Sequence, residues 1–304
     1  MAELRFDDRV AVITGAGRGL GREYALLLGS KGAKVVVNDI GAELSGEGLD
    51  AGPAEQVVRE IQAAGGEAIA CTDSVATPEG GKAIIDAALE RYGRIDILIA
   101  NAGNLRYAPM KEMSHADFAA VLDVHLWGTF NVVQPAFPLM CKAGYGRIVL
   151  TSSISGLYAN LRGVGNYAVA KTSMIGLCNV LALEGAAEGV KCNVIAPGSV
   201  TRMGGKVDQT GYPDTMGPEM VAPAVGWLCH ESCSITGEIL TSIAGRIAKM
   251  FLAETPGVYR KRWSIEEVGK QMEAIRDTSA PVIFPPVPNG ISEHIGYSIA
   301  MGRS

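Results

Sequence analysis

The chain has 304 residues, 48% of them hydrophobic and 19% charged, a balance that excludes an intrinsically disordered protein. With 27 Lys and Arg against 32 Asp and Glu, a net charge of −5 and no basic block, neither nucleic acid nor an anionic membrane surface is an expected partner. Glycine is the outlier at 38 residues, and without a G-x-y period it points to tight turns and close backbone approaches rather than a fibre.

In chain order, the charged start Met1–Arg9 lacks the apolar stretch of a signal peptide. No later run approaches the ~18 uncharged apolar residues of a membrane span. Nearly continuous β-branched and apolar runs predict strands at 9–14, 34–38, 67–71, 96–101, 147–151, 191–196 and 239–243. Helical periods lie between them, as with Leu20, Tyr24, Leu27 and Leu28, or Val57, Ile61 and Ala64. The expected fold is α/β: a doubly wound parallel sheet of Rossmann type, in three α/β/α layers. Between the second strand and its helix, the glycine- and acid-rich stretch 41–52 resembles a loop insertion. The alternation stops near residue 250, so we expect a dinucleotide-binding domain over 1–250 and an extension over 251–304. In the extension, Ser264 and Glu267 form a capping box, with Trp263 and Val268 as its staple, for a helix over about 265–276. Pro281, Pro285, Pro286 and Pro288 then predict an extended tail, packed on the core or on a neighbouring subunit.

The first strand runs into Thr14-Gly15-Ala16-Gly17-Arg18-Gly19-Leu20-Gly21. Such a turn aims backbone N–H groups and a helix N-terminus at a pyrophosphate, with Gly15, Arg18, Gly19, Leu20 and Gly21 as the candidate contacts. Its spacing is G-x-x-x-G-x-G rather than G-x-G-x-x-G, and a ligand-free strand-to-helix turn is the plain alternative. Asp39 ends the second strand, where a carboxylate accepts from adenine ribose hydroxyls and repels a 2′-phosphate. Arg18 argues the other way, toward NADP; Asp39 decides for NAD.

Tyr167 and Lys171 stand one helical turn apart on one face. A free phenol, with a pKa of about 10, is a poor base at neutral pH unless a nearby cation lowers it. On its own the pair is more often a surface couple. However, strands one, four and five end in the glycine turn, in Asn101-Ala102-Gly103 and in Ser152-Ser153, and ligands bind at such carboxyl ends.

These motifs together, with Pro197-Gly198, resemble the short-chain dehydrogenase/reductase family over roughly residues 7–250. Val36-Val-Asn-Asp39, Val124-His-Leu126, Gly144-Tyr-Gly-Arg-Ile148, Ser155-Gly-Leu-Tyr158, Trp227-Leu-Cys-His-Glu-Ser-Cys233 and the 41–52 stretch are similar to one branch of it. That branch comprises the (3R)-hydroxyacyl-CoA dehydrogenase units of type 2 peroxisomal multifunctional enzymes and stand-alone bacterial relatives. The resemblance implies Tyr167 as general acid/base, Lys171 as its cation and ribose ligand, and Ser153 on the reacting oxygen. It also implies Asp73 and Ser74 at the adenine, Asn101, Ala102 and Gly103 along the cofactor, and Pro197, Gly198, Val200 and Thr201 at the carboxamide. It further implies homodimers or homotetramers built on the fourth and fifth helices. Two departures stand out. His125 replaces the family's usual Asn, leaving its carbonyl to hold the relay water. Ser153 and Tyr167 are one residue further apart than usual, an insertion placed in the loop 159–165 over the substrate pocket.

The expected activity is hydride transfer between NAD(H) and a secondary alcohol or ketone, either a 3-hydroxyacyl-CoA or a steroid-like alcohol. Residues 202–220, with Met203 and Met216, form a lid. The alternatives are an NADPH-dependent reductase of carrier-protein thioesters and a non-catalytic NAD(H)-binding protein. Cys229, His230 and Cys233 lack the ligand number of a zinc site, so no metal is expected. The six cysteines read as reduced, mostly buried thiols of a cytoplasmic protein. His115 and His294 read as surface residues, Trp127 and Trp227 as core or interface.

Overall fold

The apolar runs become strands within two residues of their expected ends: β1 Val10–Thr14, β2 Lys34–Asn38, β3 Glu67–Cys71, β4 Ile97–Ala100, β5 Gly146–Thr151, β6 Val190–Gly198 and β7 Ile239–Ile243. The structure is a computed structural model and describes residues 3–158, 161–201 and 211–303. An eighth strand, β8 Arg246–Met250, completes a sheet in the order β3-β2-β1-β4-β5-β6-β7-β8. The sequence reading lacks this strand. It returns from β7 through a two-residue turn in which Ala244 and Gly245 both have positive φ, as tight hairpins require. The pairings from β3 across to β7 are parallel, with Val12 opposite both Val36 and Leu98. The strand order reverses between β1 and β4, and the carboxyl ends diverge there into a crevice.

Both faces are covered, which is why the strands read as continuous apolar runs rather than alternating ones. Ala11, Ile13, Val35, Val37, Ile97, Ile99, Val149 and Ile195 join one core with residues of α1 (Gly19–Ser30), α2 (Gly52–Ala63) and α8 (Ala222–Cys229). The alternate residues, among them Val12, Val36, Leu98, Ile148 and Val194, are buried on the other face. There α3 (Pro78–Tyr92), α5 (Gly128–Ala143) and α7 (Gly165–Gly185) pack on the sheet. A helix α4, His115–Leu122, passes through a π-helical turn, Asp123–Trp127, directly into α5. A one-turn α6, Ile154–Leu157, follows β5. Five of the six cysteines are buried and all six are free thiols. Trp127 is exposed, whereas Trp227 packs against the core.

The chain divides into two units, Met1–Lys249 and Met250–Ser304. The second holds α9, Ile265–Ile275, which opens with Ser264 Oγ accepting from the Glu267 N–H and Glu267 returning the bond. The proline-rich stretch does not run on as an extended tail. It ends in a further helix, α10, Gly290–Met301, because its last proline lies two residues before the first helical position. No residue of 250–303 is buried.

Candidate active site

The crevice at the carboxyl ends of β1, β4, β5 and β6 is a cleft of about 520 Å³. Of the expected site residues, Gly15, Arg18, Gly19, Leu20, Asp39, Asp73, Ser74, Asn101, Ala102, Gly103, Ser153, Tyr167, Lys171, Pro197, Gly198 and Thr201 all line it. Gly21 and Val200 do not. Gly21 lies behind the turn, where a Cβ would come within 2.2 Å of the Gly15 carbonyl oxygen. The N–H of Val200 is turned away, donating to the Met216 carbonyl at 2.7 Å.

The glycine turn is held by side chains from two strands. Thr14 Oγ1 accepts from the N–H groups of Asn101 and Ala102 at 3.0 and 3.1 Å. The Asn101 amide returns bonds to the carbonyls of Thr14 and Gly15. Asn101 therefore fastens the turn to β4, a role that the reading of it as a cofactor contact omitted. Gly15 has φ +64°, and a Cβ there would meet Ala102 Cα at 2.7 Å. The carboxylate of Asp39 accepts from the Gly17 N–H at 2.8 Å and the Gly41 N–H at 2.7 Å. Arg18 donates to the Ala42 carbonyl at 3.3 Å. Asn38, buried beside Asp39, carries the Asp73 carbonyl on its amide at 2.8 Å.

The residues present fit a dinucleotide. The first turn of α1 has no side-chain cap, so its N–H groups are left for an anion. Two buried hydroxyls on the cleft wall, Thr151 Oγ1 and Ser199 Oγ, have no hydrogen-bond partner among the described residues. A polar ligand would satisfy both kinds of group.

At the other end of the cleft, Ser153, two residues past β5, is the N-cap of α6, its Oγ accepting from the Ser155 N–H at 3.1 Å. Tyr167 and Lys171 lie in the first two turns of α7. The Lys171 ammonium sits 5.7 Å from the centre of the Tyr167 ring and donates to the Thr151 carbonyl at 2.7 Å. Burial pushes the Tyr167 phenol above its ordinary value, and a hydrogen bond with Ser153 opposes that push. Burial brings Lys171 down to about 7. The sequence reading assigned the lowering of the phenol to the Lys171 charge together with the positive nicotinamide of the bound cofactor. In the protein alone, the Ser153 hydrogen bond does this and desolvation outweighs it.

His125 sits in the π-helical turn, its ring edge-on to Tyr167 with centroids 5.3 Å apart. Its Nε2 meets the Asn104 carbonyl at 2.8 Å, and its Nδ1 has no partner among the described residues. Burial, then the charge of Lys171, keeps the imidazole neutral by holding its pKa well below the ordinary value. Asn166 is fully buried and was missed: Oδ1 accepts from the Tyr167 N–H at 2.8 Å, while Nδ2 donates to the carbonyls of Arg106 and Asp117. An asparagine beside a tyrosine carries no motif that would have revealed it. Of the expected lid, 202–210 and with it Met203 lie outside the described residues, as do 159–160 of the expected insertion. Cys229 and Cys233 are buried around His230, whose Nδ1 meets Ser232 Oγ at 2.7 Å. His115 is exposed, and His294 is half-buried against Glu254 at 3.0 Å.

A short chain dehydrogenase family model matches residues 9–210. The chain is 48% identical over 255 residues to the peroxisomal multifunctional enzyme type 2 of Drosophila melanogaster, covering 84% of this chain but 42% of that protein. It thus spans less than half the length of that relative. A short chain dehydrogenase from Mycobacterium avium superposes with a TM-score of 0.78 at 38% identity, over 93% of this chain and 98% of that one. A 7α-hydroxysteroid dehydrogenase, solved with NADH and 7-oxo glycochenodeoxycholic acid, does so with a TM-score of 0.70 at 31% identity, over 81% and 97%.

Proposed function

The chain belongs to the short chain dehydrogenase family and is an oxidoreductase of it; from that premise we propose that it passes a hydride between NAD(H) and a secondary alcohol or ketone, with Tyr167 as the general acid/base. The observation that carries this reading is the meeting, in one cleft, of the Asp39-braced glycine turn with Ser153, Tyr167 and Lys171. When bound, the nicotinamide supplies the site that gives or takes the hydride, and in its oxidised form a positive charge. Ser153 holds the reacting oxygen by hydrogen bonding. Tyr167 Oη takes the proton of an alcohol, or returns it to a ketone oxygen. Lys171 orients the nicotinamide ribose, and the Thr151 carbonyl fixes its ammonium within reach of the Tyr167 ring.

Asp39 favours NAD: each carboxylate oxygen takes one backbone N–H and keeps lone pairs for ribose hydroxyls, while its charge opposes a 2′-phosphate. Arg18, the residue arguing for NADP, is engaged with the Ala42 carbonyl. Apolar side chains of Leu105, Tyr107, Ile154, Leu161 and Val164 line the cleft that Ser153 and Tyr167 share. They suit an acyl chain or a ring system, in keeping with the multifunctional enzyme and the hydroxysteroid dehydrogenase among the similar proteins. The substrate class is therefore a 3-hydroxyacyl-CoA or a steroid-like alcohol. No helix among the described residues is long and apolar enough to cross a membrane.

The test is absorbance at the NADH band with NAD⁺ or NADP⁺ and a panel of (3R)- and (3S)-hydroxyacyl-CoAs and hydroxysteroids. Turnover with NAD⁺ that Tyr167→Phe reduces by about 10²-fold or more supports the assignment. Turnover that Tyr167→Phe leaves intact refutes it.

A further inference from the structure

The loop 41–50 plays no part in the chemistry above, yet it is fastened to both walls of the cleft. On the side of the glycine turn, Gly41 donates to Asp39, Ala42 accepts from Arg18, and the Asp50 N–H closes the base on the Ile40 carbonyl at 2.9 Å. On the far side, the Leu105 N–H donates to the Leu44 carbonyl at 2.9 Å. Arg106 Nε donates to the Ser45 carbonyl at 3.2 Å, and the same guanidinium lies 3.5 Å from Glu47. Its remaining arm holds Asp117 of α4 at 3.1 Å. Between these anchorages Ala42, Glu43, Leu44 and Gly46 line the cleft that also contains Asp39, Asn101 and Lys171.

We propose that this loop is a strap across the dinucleotide cleft and that Arg106 is the positioning residue that latches it shut. The inference rests on the cleft being the cofactor site. Arg106 suits the role because its planar fork can hold three acceptors on two different elements at once, which a lysine ammonium cannot do with fixed geometry. The latch is also weak enough to open. Glu47 is largely exposed and contributes little, so the hold comes from the Ser45 carbonyl and Asp117. Gly46 closes tightly for a separate reason: with φ +90°, a Cβ there would come within 2.8 Å of Asn104 Nδ2.

The experiment has two readouts on the full chain: the rate of NADH release by stopped-flow fluorescence, and cleavage of the cofactor-free protein at Glu43 and Glu47 by a glutamate-specific protease. Arg106→Ala should release NADH about tenfold faster and raise the KM for NAD⁺ by a similar factor, with a smaller change in kcat. It should also be cut several-fold faster at those two sites. Arg106→Lys should recover part of each effect. Gly46→Ala, which loosens the strap without touching a charge, should move release and cleavage in the same direction and stands in if Arg106→Ala does not fold. A wild type that binds NADH, with variants whose release and cleavage match it, overturns the strap. A wild type that does not bind NADH overturns instead the cofactor reading on which the strap rests.

Discussion

Asp39 and Lys171 place one carboxylate and one ammonium in the same cleft, and the proposed function gives the first to cofactor binding and the second to the chemistry. Asp39 is held by two backbone N–H groups, so its carboxylate is fixed in the cleft before any ligand arrives. Asp39→Ala should therefore raise kcat/KM with NADP⁺ relative to NAD⁺ by about tenfold or more, the value of one removed charge–charge repulsion in a partly buried site. A ratio unchanged in parallel assays would remove Asp39 from cofactor selection. Lys171 is a buried base brought down to about 7, far below its unfolded value. Its neutral form is thus favoured by folding, and stability rises as pH climbs from about 7 toward the unfolded pKa of about 10.4. Below about 7 the ammonium is charged in both states and the full cost of burying it falls on the fold. Against Lys171→Met, which cannot titrate, the wild type should lose on the order of 4 kcal/mol between those limits as pH falls. Denaturant titrations of both proteins at pH 7 and 10 measure the difference. That Tyr167, Lys171, Ser153 and Asp39 line one cleft was legible because their spacing relative to strand ends is a property of the chain. Asn166 and Arg106 were not, since each acts through backbone atoms that only folding brings near.

The element that packs against Tyr167, the proposed acid/base, is the π-helical turn between α4 and α5. The Gly128 N–H reaches back to the Asp123 carbonyl, one residue further than in an α-helix, and the widened turn swings His125 in beside Tyr167. The segment after β4 accepts it because Gly103 has no side chain: a Cβ there would stand 2.3 Å from His125 Cε1. Gly103→Ala must push the imidazole toward the tyrosine or move the strand end. The expected cost is about 1–3 kcal/mol of stability, with a loss of kcat larger than any change in substrate KM. Thermal unfolding and steady-state kinetics of the variant check the two effects separately, and an unperturbed kcat would break the link between this turn and Tyr167. The π turn leaves no mark in the sequence, because Asp123–Trp127 contains neither glycine nor proline and reads like any other helical turn. The β7–β8 hairpin was missed for a related reason: its turn, Ala244-Gly245, places a non-glycine residue at positive φ, where sequence rules expect Asn, Asp or Gly.

At the scale of the molecule, the long helix pair leaves apolar side chains uncovered. Trp127 at the end of the π-helical turn, Phe130 in the first turn of α5, and Val169, Val180 and Leu183 on α7 are 46–54% exposed. We propose a homodimer or homotetramer through these faces, the fourth and fifth helices of the sequence reading. Phe130→Glu combined with Leu183→Glu should then lower the mass seen by light scattering to that of one chain, and an unchanged mass would discard the surface. The unit over 250–303 has no buried residue of its own, although Phe251, Leu252, Ile265, Ile291 and Ile299 are each more than half exposed. It lacks the core that a segment of this length needs to fold alone. What the sequence determined by itself was the doubly wound sheet, the crevice and the residues at its strand ends. Continuous β-branched runs, a glycine turn and a capping box are local patterns, and local sterics and burial settle what they form. The tertiary structure alone decided the orientation of His125, the desolvation that sets Tyr167 and Lys171, and the seating of the 41–50 loop on Arg106. Those depend on which groups meet across elements far apart in the chain, and no periodicity encodes such a meeting.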